Sequence, residues 1–398
     1  MQNNRAGWAQ IDVTPPLGLP MGGRGSRFTP GAAALDPLLA QALVLEDETG
    51  RRMLWVSMDM IGMSYHATAE FRYELMAATG IPFDAIVINA SHTHSGPMTG
   101  FEGYATLQPK PEQMQVYETG LIAKTVRMAH EAIARLAPAK VSVHRGLSDI
   151  GINRRRRDPA GQMGMAPDPE GFYNRDLWLL DVVAGDARSI TFSYGCHPVL
   201  VYGYAYDSIS ADWPGVCRNR LQEALGRNVQ AQFIQGLAGN VRPRQVADLD
   251  QGIFRKPTTA QDHMAAGAQL ADDVLSALGT GGEALDLELA AVAGFALAPR
   301  DLDKAPPLEH WQELAASDDE LNRNVGAYWA ERIVSGLPPV PVVPWSIGLM
   351  RLAKGHQIAW MSGEPLAEWL RHLREWLDDD GLVAWGYCQD GRCYMPTD

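Results

Sequence analysis

The stretch Ala85-Ile86-Val87-Ile88-Asn89-Ala90-Ser91-His92-Thr93-His94-Ser95-Gly96-Pro97 decides how this chain is read. Its apolar half is short and β-branched, which predicts a buried strand. Its polar half carries two imidazoles and then turns at Gly96-Pro97. In open α/β sheets, ligands bind outside the carboxyl ends of strands. His92 and His94 stand two residues apart, so in extended chain they point to the same side. A pair of histidines in that place points to a metal site with an acid-base partner; two ordinary loop residues are the plainer alternative.

Working outward, strand-like and helix-like segments alternate, which predicts an α/β fold of mixed sheets with flanking helices. Leu54–Met60 reads as a buried strand carrying one carboxylate, Asp59. Apolar positions from Met114 to Leu136 follow helical spacing over residues 112 to 136. Ile190–Tyr194 is a strand that runs into Cys196-His197-Pro198. Pro214 opens a helix that Gly226 closes, and Val229–Ile234 is a strand leading to Asn240 and Arg242. Residues 261 to 278 suit an amphipathic helix. Leu285, Leu287 and Leu289 alternate with Asp286 and Glu288 as in a strand. Residues 308 to 335 read as helical. Gln357–Met361 is a strand ending in Ser362-Gly363-Glu364-Pro365, and a helix with Leu366, Trp369, Leu370, Leu373 and Leu377 on one face follows. Residues 15 to 32, rich in Gly, Pro and Arg, read as a loop of the kind that lines sites. Leu337 to Pro344 reads as a connection between elements. No internal repeat is visible.

The whole chain sets bounds on function. Its 398 residues suit an α/β enzyme with a large core. A net charge of −13 argues against nucleic acid or an anionic membrane as the main partner, because both require a basic face. The partner expected is a small-molecule substrate. No apolar run is long enough for a membrane span. Cys196, Cys217, Cys388 and Cys393 are too few for a disulfide scaffold, although Cys388 and Cys393 could pair. No charged start followed by an apolar stretch marks a signal peptide, so a cytoplasmic protein is expected, or a secreted one if a signal has been removed.

Several predicted strands end in groups that bind metals: His92 with His94, then His197, then Glu364. Asn240 and Arg242 follow another. Catalytic zinc sites take His nitrogen and carboxylate oxygen and keep a position open. Separately, a Glu in Gly-Glu-Pro is a good helix-start carboxylate and a His before Pro is a good structural residue.

The segments Asn89–Pro97, Gly195-Cys196-His197-Pro198, Gly239-Asn240-Val241-Arg242-Pro243 and Ser362-Gly363-Glu364-Pro365 resemble motifs of neutral ceramidases, in the same order. Asp12-Val13-Thr14-Pro15-Pro16 and Asn153-Arg154-Arg155 are similar to that family too. The resemblance covers nearly the whole chain as a single catalytic domain, residues 1–398, without the family's C-terminal immunoglobulin-like domain. It implies a zinc-dependent hydrolase, with Zn2+ held by His92, His197, Glu364 and a tyrosine near the C-terminus. Tyr394 is the best match for that tyrosine and Tyr387 its rival. His94 is then an acid-base or supporting group. Arg154 and Asn240 become candidates for substrate binding, and Asp59 either orients a histidine or is structural.

Where the family has a serine taken as nucleophile, this chain has Arg242, and no long apolar insertion suggests a lipid funnel. These departures point away from ceramide and towards water-driven cleavage of an amide or ester in a small, polar or anionic substrate. Arg242 is expected to hold a carboxylate or a developing oxyanion, with a structural salt bridge as the alternative. A carbohydrate-active hydrolase or lyase on the same metal site, a true ceramidase, and a binding protein without catalysis stay open as alternatives.

Overall fold

The computed structural model describes residues 4–23, 29–97, 112–226, 228–299, 302–337, 342–391 and 393–397. Three mixed sheets and their helices make the expected α/β fold. The first sheet has the strand order Ile86–Ala90, Arg52–Met58, Leu39–Glu46, Arg5–Asp12, Ala137–Pro138. The second runs Val229–Gln235, Ala187–Tyr194, Asp176–Ala184, Lys140–Leu147, Glu283–Ala284. In each, the first two strands are parallel and the rest antiparallel. A helix makes each parallel crossover: Tyr65–Thr79 in the first sheet and Trp213–Leu225 in the second.

The two halves therefore repeat one topology. Each runs three antiparallel strands, a helix, a parallel edge strand, a second helix and a short far-edge strand. The second helices are Glu112–Ala134 and Ala260–Gly279. The sequence carries no visible repeat of its own to match it. Topology depends on strand order and handedness, which dissimilar apolar runs satisfy equally well. The edge strands of the halves touch: Gln235 N donates to Asn89 Oδ1 at 2.9 Å, and Asn89 Nδ2 donates to the Gln235 carbonyl at 3.2 Å, while Gln230 and Gln232 also donate to carbonyls of Leu39–Glu46.

The third sheet, Ala290–Pro299, Val342–Ala353, His356–Met361, Val383–Trp385, again ends in a parallel pair. One indole from each sheet meets the others in the core. Trp55 lies 6.3 Å from Trp178 and 5.0 Å from Trp385, ring centre to ring centre, and Trp178 lies 6.0 Å from Trp385. Edge-to-face rings at such distances add to the area they bury. The carboxyl ends of the three parallel pairs thereby face one region.

Other expectations fare unevenly. The predicted helix over 308–335 is two helices, Leu308–Ala315 and Glu320–Val334, because the Asp319 side chain accepts from Asn322 N and starts a new one. Leu285, Leu287 and Leu289 are buried and alternate, yet they form no strand. Their backbone bonds go to Val141 O, Asn4 Oδ1 and Asp47 Oδ2 instead of a ladder. Of the loop 15–32, residues 24–28 lie outside the described residues, as do 338–341 of the Pro-rich connection. Among the described residues no cysteine forms a disulfide: Cys388 is buried and Cys393 exposed. Among the described residues, no helix is long and apolar enough to cross a membrane.

Candidate metal centre

Each sheet delivers its site residues just past a parallel pair. His92 and His94 follow Ile86–Ala90, and His197 follows Ala187–Tyr194. Glu364 comes after His356–Met361, and Tyr387 after Val383–Trp385. The backbone is contorted there. His92 has φ 65° and Tyr387 φ 54°, left-handed values uncommon outside glycine. Such residues collect at sites where the surroundings dictate the conformation. Gly363 has φ 73°, and a Cβ on it would meet the Trp345 ring at 2.0 Å, so only glycine lets the chain turn into Glu364.

Three imidazoles are fixed in one tautomer. His92 Nδ1 donates to the Ile61 carbonyl at 2.6 Å, His94 Nδ1 to Gly23 O at 2.6 Å, and His197 Nδ1 to Ala238 O at 2.7 Å. A carbonyl can only accept, so each proton sits on Nδ1 and each Nε2 presents a lone pair. Those lone pairs converge. His92 Nε2 is 3.3 Å from His94 Nε2 and 3.4 Å from Glu364 Oε2; His197 Nε2 is 3.3 Å from that same oxygen. The ligand atoms of the three histidines all lie within 4.8 Å of one another.

Glu364 Oε2 is buried without a hydrogen-bond donor. Apart from Arg154 Nη2, 3.1 Å from His197 Nε2, no donor stands among these acceptors, and packed acceptors repel at a cost that burial increases. A cation at their centre resolves the conflict. Bonds of about 2.0–2.1 Å to tetrahedral corners separate neighbouring ligand atoms by roughly 3.3–3.4 Å, which matches the spacings here. His92, His94 and His197 could hold a metal ion, and Glu364 adds a hard oxygen to His92 and His197.

The electrostatics suit that role. Burial, then the neighbouring His92 and His197, pushes His94 well below the usual imidazole range. Burial and the Arg154 charge bring His197 down to about 3. Both rings are thus neutral at ordinary pH. Burial raises the Glu364 carboxyl, but His92 and His197 outweigh it and hold it well below the usual carboxylate range.

Two tyrosines flank the group. Tyr387 packs against His92 with ring centres 4.4 Å apart and planes tilted by 42°, and its hydroxyl is buried with no partner. Tyr394 pairs with Glu364 across the short bridge between their strands, and its hydroxyl accepts from Arg154 Nη2 at 2.8 Å. Arg154 is buried and lies 3.1 Å from His197 Nε2, but Gly239 O at 2.9 Å and the Tyr394 hydroxyl are nearer acceptors for the same nitrogen. A bulge between Asn153 and Arg155 turns it this way.

The remaining predicted residues have other surroundings. Asn240 works as a structural clip: Nδ2 donates to both Glu368 oxygens at 3.0 and 2.8 Å, and Oδ1 accepts from Ala367 N at 2.8 Å. Asp59 orients no histidine. It forms a two-pronged ion pair with Arg218, at 2.9 and 2.5 Å, and accepts from Leu39 N. Arg242 is buried, but no hydrogen bond or ion pair joins it to the histidines or Glu364. Its Nη1 reaches Met165 Sδ at 3.5 Å and its guanidinium lies 5.2 Å from the centre of the Phe254 ring. The arginine beside the metal group is Arg154. The structural salt bridge considered for Arg242 is absent among the described residues. The Pro- and Gly-rich loop does line the site, since Gly23 O is the acceptor that orients His94.

No family model matches this chain. Its architecture is that of neutral ceramidase structures. The crystal structure of neutral ceramidase from Pseudomonas aeruginosa superposes with a TM-score of 0.73 and 18% sequence identity, covering 100% of this chain and 69% of that one. A ceramidase complexed with C2 superposes with a TM-score of 0.71 at 18% identity, covering 100% of this chain and 70% of that one. At that identity the likeness establishes the fold.

Proposed function

We propose that the protein is a zinc-dependent hydrolase that cleaves an amide or ester bond in a small molecule. The observation that carries this reading is the convergence of three imidazole lone pairs and a donor-less carboxylate oxygen at metal-ligand spacing. The ceramidase fold supports it, because the solved structures that share the fold bear the name of amide-cleaving enzymes.

His92, His197 and Glu364 would hold the zinc, with the Tyr387 hydroxyl as the fourth protein ligand in place of Tyr394. Tyr387 is preferred because its hydroxyl is buried and unused, whereas that of Tyr394 is already engaged. Zinc in such a site activates water and polarises a carbonyl.

This chain's own groups do the rest. His94, less buried than the other two imidazoles, would move the proton during attack and departure. Its Nδ1 bond to Gly23 keeps Nε2 ready to accept. Arg154 and Tyr394, joined to each other beside His197, would orient the scissile carbonyl and stabilise charge developing on its oxygen. No serine stands where the family's motif has one, so water attack without an acyl-enzyme is the simpler route.

A panel of amides and esters, assayed with zinc, after chelation and after zinc is restored, tests the proposal. Turnover that disappears and returns supports it. Turnover indifferent to chelation contradicts it.

A further inference from the structure

Beside the metal centre, the two strands that carry Arg154 and Arg242 leave a concentration of positive charge without counter-charge. Arg242 on Val241–Pro243 pairs with Ile152 on Gly151–Arg157, and Arg155 on the latter pairs with Met165. Arg242 is 3% exposed, and its Nε has no hydrogen-bond partner. Among the described residues, neither Arg242 nor Arg155 forms an ion pair with a carboxylate. The chain carries 47 acidic residues against 34 Lys and Arg, so the want of a partner here is a local arrangement and not a shortage of acids. A guanidinium taken out of water with only a thioether and an aromatic ring beside it, and no carboxylate, is costly. Folds keep such a group where a ligand completes it.

The neighbours say where that ligand lies. Arg242 Nη1 touches Met165 Sδ, and Met165 is 54% exposed. Arg155 holds its guanidinium 5.7 Å from the centre of the Tyr394 ring, and Tyr394 is 39% exposed. The Tyr394 hydroxyl in turn bonds Arg154, which reaches His197. Arg155 therefore stands one side chain away from the metal group, across Tyr394, and Arg242 joins the same patch through Met165, whose backbone pairs with that of Arg155. At the bulge, Arg154 and Arg155 both bring their guanidinium groups to 5.7 Å from the centre of the Tyr394 ring.

We infer that Arg242 and Arg155 form an anion-binding subsite, and that the substrate is an acyl amide or ester carrying a carboxylate on the side that rests against Tyr394 and Met165. A planar fork matches a carboxylate in two-pronged contact, and Arg in place of the family's serine gives this chain a specificity that a lipid amide would not use. The placement beside a scissile bond rests on the hydrolase reading; the anion subsite does not.

Titration calorimetry on zinc-loaded protein tests this with three probes: N-octanoylglycine, its methyl ester, and the corresponding N-octanoyl aminomethylphosphonate. The acid should bind roughly 10–100-fold more tightly than the ester, the scale of a charge-assisted hydrogen bond or two. Arg242→Met and Arg155→Met should each erase most of that preference, and Arg242→Lys should keep only part of it. Arg155 is partly exposed, so its variant still decides the matter if Arg242→Met does not fold. Equal binding of acid and ester, or a preference that survives both methionine variants, overturns the inference. A phosphonate that binds more tightly than the acid overturns the carboxylate assignment. Arginine-dependent binding of the acid without hydrolysis upholds the subsite and counts against the hydrolase instead.

Discussion

Two buried charged clusters lie at the ends of neighbouring parallel strands, and they differ in whether their bonds are complete. Asp59 follows Arg52–Met58 and meets Arg218 in a two-pronged pair, with Leu39 N on the same carboxylate. Burial works against the Arg218 charge, but Asp59 outweighs it and holds the guanidinium above its usual range. Two residues further on, the Ile61 carbonyl accepts a hydrogen bond from His92 Nδ1 and leaves the other ring nitrogen facing His94 and Glu364 with no donor between. One cluster satisfies itself and serves the fold. The other leaves acceptors facing one another. Burial of charge does not by itself mark a site; an incomplete set of partners does.

The largest effect expected from breaking this contrast is on the closed pair. Asp59→Ala strands a buried guanidinium and should cost about 3–5 kcal/mol of stability, with or without zinc, in denaturant unfolding. The open cluster should respond to metal instead. At free zinc about a thousandfold above its dissociation constant, the wild type should gain roughly 4 kcal/mol. His92→Ala should gain nothing, while Asp59→Ala should keep the increment on a lower baseline. An equal increment in His92→Ala would place the metal elsewhere.

Within the open cluster, the contrast sharpens between holding the metal and using it. His94→Ala should retain zinc and lose roughly 10²–10⁴-fold in kcat. If it releases zinc as fully as His92→Ala, His94 is a ligand and not a proton carrier. The smallest effect separates the tyrosines. Tyr387→Phe should weaken zinc binding by roughly 10–100-fold, a size typical of groups that tune a metal site, while Tyr394→Phe leaves affinity near that of the wild type. Competition with a chromogenic chelator measures both, and the reverse ranking would restore Tyr394 as the ligand.

Much of this was legible in the sequence for a local reason. Apolar runs bounded by turn residues predict strands, and the residues after them carry ligand chemistry, so His92, His197 and Glu364 stand out from the chain alone. What was hidden depends on distant partners. Asp59 and Arg218 are 159 residues apart, and nothing local distinguishes that carboxylate from one that orients a histidine. Asn240 looks like a substrate contact until Ala367 and Glu368 close on it. Tyr387 follows a strand of only three residues, too short to show any periodicity, although it obeys the same strand-end rule as the histidines. The duplicated topology leaves no trace in residue pattern, because each half packs its own apolar set. Arg242 was visible as an oddity, but its lack of an ion-pair partner appears only in three dimensions.

The central claim is that the open cluster is a metal centre, and elemental analysis of protein purified without chelators tests it most directly. Wild type should carry one zinc ion per chain, and His92→Ala and His197→Ala should carry almost none under the same purification. A wild type that stays near zero after dialysis against zinc, while remaining folded, would contradict the account.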